Sequence, residues 1–358
     1  MDGRQTLPEH PDMLRHHGGN INAARCRSPN APAPWIDLST GVNPIPYPIN
    51  TIAPHAWNRL PDPSDLAALE QAAGAAYGAD PATAIVAAPG TQALLQWLPR
   101  VVSARRVGIL DFTYGEHEKC WRAAGAEVTT VDVISELTRF DVGVVVTPNN
   151  PDGRVLPAKL LATTAESLAE AGGLLIVDEA FMDVLERRDS LVPLLPRAGA
   201  LVLRSFGKVC GLAGLRLGFA AASPEIAAVL RVAMGPWAVS GPAIEIGRQA
   251  LTDAVWLEST LSWLGSAADR LDGLLRVAGF TIVGGTKSFR LASHHAASAW
   301  FERLAQRGIL TRPFHGKPNW LRFGLPGAQA EWQRLEAALL SCETNVADSQ
   351  EIVLRDKA

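Results

Sequence analysis

Leu174-Leu175-Ile176-Val177-Asp178-Glu179-Ala180 sets four consecutive aliphatic residues in front of two acids. A strand with no polar alternation has to be buried on both faces, which is the situation of an inner strand in a parallel sheet covered by helices. Runs of the same kind recur at Ala84-Ile85-Val86, Val107-Gly108-Ile109-Leu110, Val128-Thr129-Thr130-Val131, Val142 to Val146, Leu201-Val202-Leu203 and Leu217-Gly218-Phe219. Most of the intervals can hold a helix. The pattern therefore predicts an α/β fold: a doubly wound, mostly parallel seven-stranded sheet forming a large domain over residues 61–235.

On the N-terminal side, residues 1–60 are rich in Pro, Asn and Gly, as in His17-Gly18-Gly19-Asn20 and Asn43-Pro44-Ile45-Pro46-Tyr47-Pro48, and read as an extended arm. Ser64 reads as the N-cap of a helix that carries Leu66, Leu69, Ala73 and Tyr77 at helical spacing and ends at Gly78. Beyond Pro236-Trp237-Ala238-Val239-Ser240 the pattern changes. A helical region over 241–278, broken near Asp253, precedes strands at Thr281-Ile282-Val283, Phe289-Arg290-Leu291, Gly308 to Arg312 and Trp320 to Gly324, with helices over 297–307 and 328–340. This predicts a smaller α+β C-terminal domain, 236–342, followed by a polar tail, 343–358.

Hydrophobic residues make up 47% of the 358 and charged residues 19%, the balance of a globular protein that can bury a full core. A net charge of -3 offers no basic footprint, so no nucleic-acid partner is expected. No stretch approaches the roughly 18 consecutive apolar residues that span a membrane. Met1 to Asp12 carry acids and prolines where a signal peptide would be apolar. Cys26, Cys120, Cys210 and Cys342 form no CxxC pair, which argues for reduced thiols and a cytoplasmic setting. His16-His17 and His294-His295 lack an i, i+4 partner, so no metal site is expected. Neither a Gly-x-Ser-x-Gly elbow nor a Walker motif is present, and Gly211 to Gly218 lacks the glycine order of a dinucleotide loop.

Lys208 stands in Ser205-Phe206-Gly207-Lys208 and is followed, through the glycine-rich Val209 to Leu215, by Arg216. A lysine in an apolar, glycine-flanked segment is poorly hydrated, which favours the neutral amine that adds to an aldehyde as a Schiff base. The Ser205 hydroxyl and the Arg216 guanidinium suit a phosphate. Pyridoxal 5'-phosphate carries both groups, and its ring nitrogen calls for an acid, which Asp178 supplies at the end of its strand. A lone Asp there is equally an N-cap. Ala88-Pro89-Gly90-Thr91-Gln92 leads a strand into a helix N-terminus, where free N–H groups attract phosphate, although such turns also use Gly and Thr simply to cap. Asn150, in Pro148-Asn149-Asn150-Pro151-Asp152-Gly153, suits a ring phenolate oxygen or an ordinary turn. Tyr114 suits stacking on a flat ring or plain packing. Arg322, a charge on an otherwise apolar strand, needs either a substrate carboxylate or an internal salt bridge, and Arg312 on a neighbouring segment faces the same choice.

Asn150-Pro151-x-Gly153, Asp178-x-Ala180, Ser205-x-x-Lys208 and Arg216, in this order, resemble the signature of the fold-type-I pyridoxal-phosphate enzymes of the aspartate aminotransferase superfamily, over roughly residues 35–340. The resemblance implies Lys208 as the catalytic lysine, Asp178 on the ring nitrogen and Asn150 on the phenolate oxygen. It implies Tyr114 stacked on the ring and Gly90, Thr91, Gln92, Ser205 and Arg216 around the phosphate. Arg322, with Arg312, is implied on the substrate carboxylate, in a homodimer with its sites at the interface. Within the superfamily, His17-Gly18-Gly19-Asn20, Asn43-Pro44, Leu60-Pro61-Asp62-Pro63 and Gly284-Gly285-Thr286-x-x-Phe289-Arg290-Leu291 resemble the cobalamin-pathway branch, the L-threonine O-3-phosphate decarboxylases. Substrate contacts are then expected from His17, Gly18, Asn20 and Asn43, with His17 and Asn20 on the substrate phosphate. Two positions depart from the wider pattern. Phe181 stands where many members place a tyrosine hydroxyl on the cofactor phenolate, and Leu60 where the aminotransferases place a tyrosine that reaches the partner's cofactor phosphate.

Three readings follow. The first is a pyridoxal-phosphate lyase that decarboxylates L-threonine O-3-phosphate to (R)-1-aminopropan-2-yl phosphate. The second is an aminotransferase of the histidinol-phosphate type. The third, a cofactor-binding sensor without turnover, is disfavoured because no DNA-binding segment is attached.

Overall fold

The computed structural model describes residues 18–185, 189–195 and 199–340; His17 and the polar tail lie outside the described residues. Packing divides the chain into two units, one of residues 45–264 and one of residues 1–44 with 265–358. Strand β1, Ile36–Asp37, belongs to the latter. The next seven strands are β2 (Ala84–Ala88), β3 (Arg106–Leu110), β4 (Glu127–Val131), β5 (Val142–Val146), β6 (Leu174–Asp178), β7 (Ala200–Ser205) and β8 (Gly218–Ala222), and they form one sheet in the order β2-β8-β7-β6-β5-β3-β4. Only β8 runs antiparallel to its neighbours. The other pairs are parallel. Each strand coincides with a run that the sequence marks as apolar, so the predicted seven-stranded, mostly parallel α/β sheet is what forms.

Alternate strand residues explain those runs. Val86, Ile109, Val144, Ile176, Leu203 and Ala220 lie in one buried cluster with Leu94, Leu98, Trp121 and Leu230, from the helices Thr91–Val101, Glu116–Ala123 and Pro224–Met234. The other face is covered as closely. A Cβ on Gly143 would stand 3.2 Å from Leu168 and 3.3 Å from Leu175, which brings the helix Ala158–Glu170 onto β5 and β6. Burial on both sides is what makes the strands apolar throughout, each fully buried leucine contributing about 2 kcal/mol.

The helix Pro63–Tyr77 begins two residues earlier than the sequence suggests. Its cap is Asp62, not Ser64: the Asp62 carboxylate accepts from the Ser64 N–H at 2.8 Å and the Ser64 hydroxyl at 2.7 Å. Pro63 occupies the first helical position, so the capping residue has to precede it. Leu69, Ala73 and Tyr77 are buried as predicted, and Gly78 closes the helix at φ 70°. From the same helix Glu70 reaches the open side of β2, where its carboxylate accepts the Ala87 N–H at 3.0 Å. Arg231 completes the contact, donating to Ile85 O at 2.7 Å and to Glu70 at 2.8 Å.

In the other unit, β9 (Thr281–Thr286), β10 (Phe289–Ser293), β12 (Arg312–Pro313) and β13 (Trp320–Gly324) form an antiparallel sheet in the order β12-β13-β10-β9. Strand β1 pairs with β11 (Ile309–Leu310). The stretch Gly308 to Arg312, predicted as one strand, is therefore two. Ile309 and Leu310 pair with β1, whereas Arg312 and Pro313 pair with β13. The N-terminal stretch is not uniformly extended either. Asn20 caps a short helix, Ile21–Arg27, through its side-chain oxygen. No helix among the described residues is long and apolar enough to cross a membrane.

Candidate active site

Strands β2, β3, β5, β6 and β7 point the same way, so their C-terminal ends share one edge of the large sheet. That edge carries Gly90 after β2, Tyr114 after β3, Asn150 after β5, Asp178 at the end of β6, and Ser205 with Lys208 at the end of β7. The antiparallel β8 starts at the same edge, just after Arg216. Topology alone thus gathers every residue expected around the cofactor, at the place where ligands bind in open α/β sheets.

The end of the site expected to take the phosphate is built by missing side chains. Gly90 has φ 84°, and a Cβ on it would stand 2.9 Å from Arg216 Nη2. A Cβ on Gly218 would stand 2.5 Å from the Thr91 N, and Gly218 pairs with Ser205 across β8 and β7. The guanidinium, the helix N-terminus at Thr91 and the Ser205 strand end therefore converge. The helix Thr91–Val101 has no side-chain cap, which leaves its first N–H groups directed at this cradle. Arg216 is held there by a left-handed backbone at φ 54° and by its own bond to Ala213 O at 3.0 Å. Gln92 is otherwise engaged. Its amide donates to Glu116 at 3.2 Å and its oxygen meets the Tyr114 hydroxyl at 3.4 Å.

At the ring end, Asp178 is buried, and one of its carboxylate oxygens accepts the Ala180 N–H at 3.0 Å. The other lies 2.9 Å from His117 Nε2. Among the described residues, Nδ1 of the same buried imidazole has no hydrogen-bond partner, so the proton belongs on Nε2, donated to Asp178. His117 is a site residue that the motif reading misses. Its signal was present: His117, Cys120 and Trp121 are the buried residues of the helix Glu116–Ala123, spaced along one face, and a histidine on an apolar face needs a partner.

Lys208 is half-buried in the one-turn helix Phe206–Val209, and its Nζ stands 5.3 Å from the centroid of the buried Phe181 ring. The ring covers the amine where many related chains are expected to carry a hydroxyl. Cys210, two residues on, does not compete for an aldehyde. Burial above all, and then Asp183, pushes its thiol well above the usual range, so it stays protonated.

The expected substrate residues lie in the unit containing β13. Arg322 is buried, donates to Ser39 O at 2.9 Å and lies 5.0 Å from the Phe289 ring centroid. Arg312 stands directly opposite it across β12 and β13. Like charges facing each other on one sheet face repel, and an anion between the guanidinium groups turns that cost into binding. Ser39 joins this pair to the arm: its hydroxyl accepts the Gly19 N–H at 2.7 Å and donates to Asp37 at 2.5 Å, and a Cβ on Gly18 would stand 2.3 Å from its carbonyl oxygen. Gly18, Gly19 and Arg322 thereby share Ser39 as a neighbour, whereas the side-chain oxygen of Asn20 accepts the Ala23 N–H of its own helix. Asn43 is buried in the same unit.

The residues present fit pyridoxal 5'-phosphate: a glycine cradle with a guanidinium for the phosphate, an acid for the ring nitrogen and an amine for the aldehyde. Comparison with known proteins agrees. The family model for aminotransferase class I and II matches residues 34–339. A threonine-phosphate decarboxylase of Pseudomonas aeruginosa is 43% identical over 331 residues, covering 91% of this chain and 98% of that protein. A Sinorhizobium protein of the same name is 41% identical, with coverage of 91% and 98%. Among solved structures, the histidinol-phosphate aminotransferase of Sinorhizobium meliloti in complex with pyridoxal-5'-phosphate superposes with a TM-score of 0.78 at 20% identity, covering 94% of this chain and 97% of that one.

Proposed function

The chain belongs to the class I and II aminotransferase family, and from that premise we propose that it is a pyridoxal-phosphate-dependent lyase. It decarboxylates L-threonine O-3-phosphate to (R)-1-aminopropan-2-yl phosphate, a step serving cobalamin synthesis in the cytoplasm. The observation that carries the reading is the pair Arg312 and Arg322, opposed across two strands. Such a pair suits a substrate that brings anions of its own, and the name of the two bacterial relatives supports the same choice.

When bound, the cofactor supplies an aldehyde for the substrate amine and a protonated ring that accepts the electron pair left by a broken bond at Cα. The chain's residues decide which bond that is. Arg322, with Arg312, grips the carboxylate, while the arm around Gly18 and Asn20, with His17, holds the substrate phosphate. Two fixed ends prevent rotation at Cα and leave the bond to the carboxylate as the one aligned to break. Asp178, itself oriented by His117, keeps the ring nitrogen protonated. Lys208 would hold the cofactor's aldehyde through its Nζ and, once the substrate amine has taken that place, would carry on the freed ammonium the proton that Cα takes up in place of CO2. Phe181 keeps water from the amine.

The test is to incubate the cofactor-loaded protein with L-threonine O-3-phosphate. CO2 and the phosphorylated amine should appear in equal amounts without 2-oxoglutarate. Glutamate-dependent formation of a keto acid without CO2 would overturn the reading in favour of an aminotransferase. Arg322→Lys keeps the charge but loses the two-pronged grip, and kcat/KM should fall about 100-fold, equivalent to about 3 kcal/mol.

The same reading includes a homodimer. Trp57, Leu60 and Trp237 are 68%, 67% and 56% exposed. The first and last share a neighbourhood, since a Cβ on Gly241 would stand 2.2 Å from Ala56 O. Large apolar groups left together at a surface mark an interaction site. Sedimentation at protein concentrations used for assay should give twice 38.2 kDa, and a monomer would remove this part of the proposal.

A further inference from the structure

Asn149 is buried at 1% exposure and lies one residue before Asn150, and its polar groups are taken up by the neighbouring loop and its own turn. Its side-chain oxygen accepts the Thr113 hydroxyl at 2.6 Å. Its amide nitrogen donates to Phe112 O at 3.1 Å and to Asp152 Oδ1 at 2.8 Å. Its backbone N–H donates to Arg154 O and its carbonyl accepts the Gly153 N–H, both at 2.8 Å. Arg154 adds a parallel strut, donating to Asp111 O at 2.7 Å. The loop after β3 and the loop after β5 are thus tied by three side-chain bonds, and the residues just beyond the tie, Tyr114 and Asn150, are the two that face the ring.

We propose that Asn149 is a positioning residue: through Thr113 and Phe112 it fixes the separation between the Tyr114 ring and the Asn150 amide, and so sets the electronic state of the bound cofactor. The inference rests on the reading of Tyr114 and Asn150 as cofactor contacts and adds to it a residue that need not touch the cofactor. A bond in a fully used, buried amide has few alternatives, since each broken bond leaves a group without water to replace it. Asn149→Asp keeps the shape but removes both donors and sets a carboxylate against Phe112 O and Asp152. Thr113→Val removes one bond only, with little change in volume.

The readout is the visible absorption of the cofactor-loaded protein as a function of pH. A hydrogen bond from Asn150 to the phenolate oxygen favours its ionised state, so a displaced Asn150 makes the proton next to it harder to remove. The midpoint should rise by roughly one pH unit in Asn149→Asp and in Thr113→Val. The double variant should add little beyond either single change, and Thr113→Ser, which keeps the hydroxyl, should match the unaltered protein. If Asn149→Asp does not fold, Thr113→Val and Thr113→Ser carry the comparison alone. A lower melting temperature with unchanged midpoints would overturn the inference, because it would make Asn149 a structural staple only. Failure of the unaltered protein to take up pyridoxal phosphate at all would overturn the cofactor reading, and this inference with it.

Discussion

Lys208→Ala is expected to lower turnover of L-threonine O-3-phosphate about 10,000-fold, the largest loss a single side chain of this protein should produce. Two duties end together: the covalent hold on the cofactor, and the delivery of a proton from Nζ to Cα. The rest of the cradle stays in place. Gly90, Thr91, Ser205 and Arg216 still converge at the phosphate end, and Asp178 keeps its bonds to Ala180 and His117. The variant should therefore fold and still bind pyridoxal phosphate, but give it up on dialysis. A small primary amine added to the buffer should restore part of the activity, since the missing function is that of an amine. Activity within tenfold of the unaltered protein would show that Lys208 is not the catalytic residue.

Arg204→Met is expected to cost about 3–5 kcal/mol of stability, more than a typical core substitution. Arg204 is the penultimate residue of β7, just before Ser205, and Glu179 follows Asp178 at the end of β6. The guanidinium donates to Glu179 and to Ser190 at 3.0 and 3.2 Å, is paired with Asp183, and lies 4.2 Å from the Tyr77 ring centroid. Glu179 is fully buried and also accepts from Ser190 and the Leu191 N–H. Methionine preserves the stem and leaves that carboxylate without its cation. Burial already pushes the Glu179 carboxyl above its usual range, with Arg204 the main opposing influence. A group raised in the folded state contributes its stability below its unfolded pKa and loses it as pH rises through the folded value. Removing Arg204 raises Glu179 further, so the deficit should be larger at pH 8 than at pH 5 in denaturant titrations. Glu179→Gln added to Arg204→Met should recover part of it. A deficit that is the same at both pH values would count against Glu179 as the stranded group.

Arg204 and Arg322 carry the same mark in the sequence, a guanidinium on an apolar strand, and the structure separates them. Glu179 and Asp183 answer the first from within the chain, the internal salt bridge that a charge in a strand always allows. The second donates to the Ser39 carbonyl and stands opposite Arg312, and it is this pairing of two guanidinium groups for which a substrate anion is proposed. The large sheet was legible because burial on both faces removes polar alternation from every strand. The residues expected around the cofactor could be singled out because they sit at strand ends, where motif order and sheet edge coincide. Asn149 was not, since Asn-Asn-Pro reads as a turn in any protein and nothing local reveals that its amide bridges two loops. Ser39 was equally silent, because its importance lies in a carbonyl that accepts from Arg322, far along the chain, and a hydroxyl that accepts from Gly19.

Glu70 and Arg231 have a bearing on how this protein behaves in a crowded solution. Strand β2 closes one side of the sheet, and its Ala87 N–H and Ile85 carbonyl would otherwise be open to any extended chain. The acid and the base occupy them as an eighth strand's backbone would occupy its neighbour, but a side-chain pair cannot be extended. Self-assembly by strand addition is refused at this border.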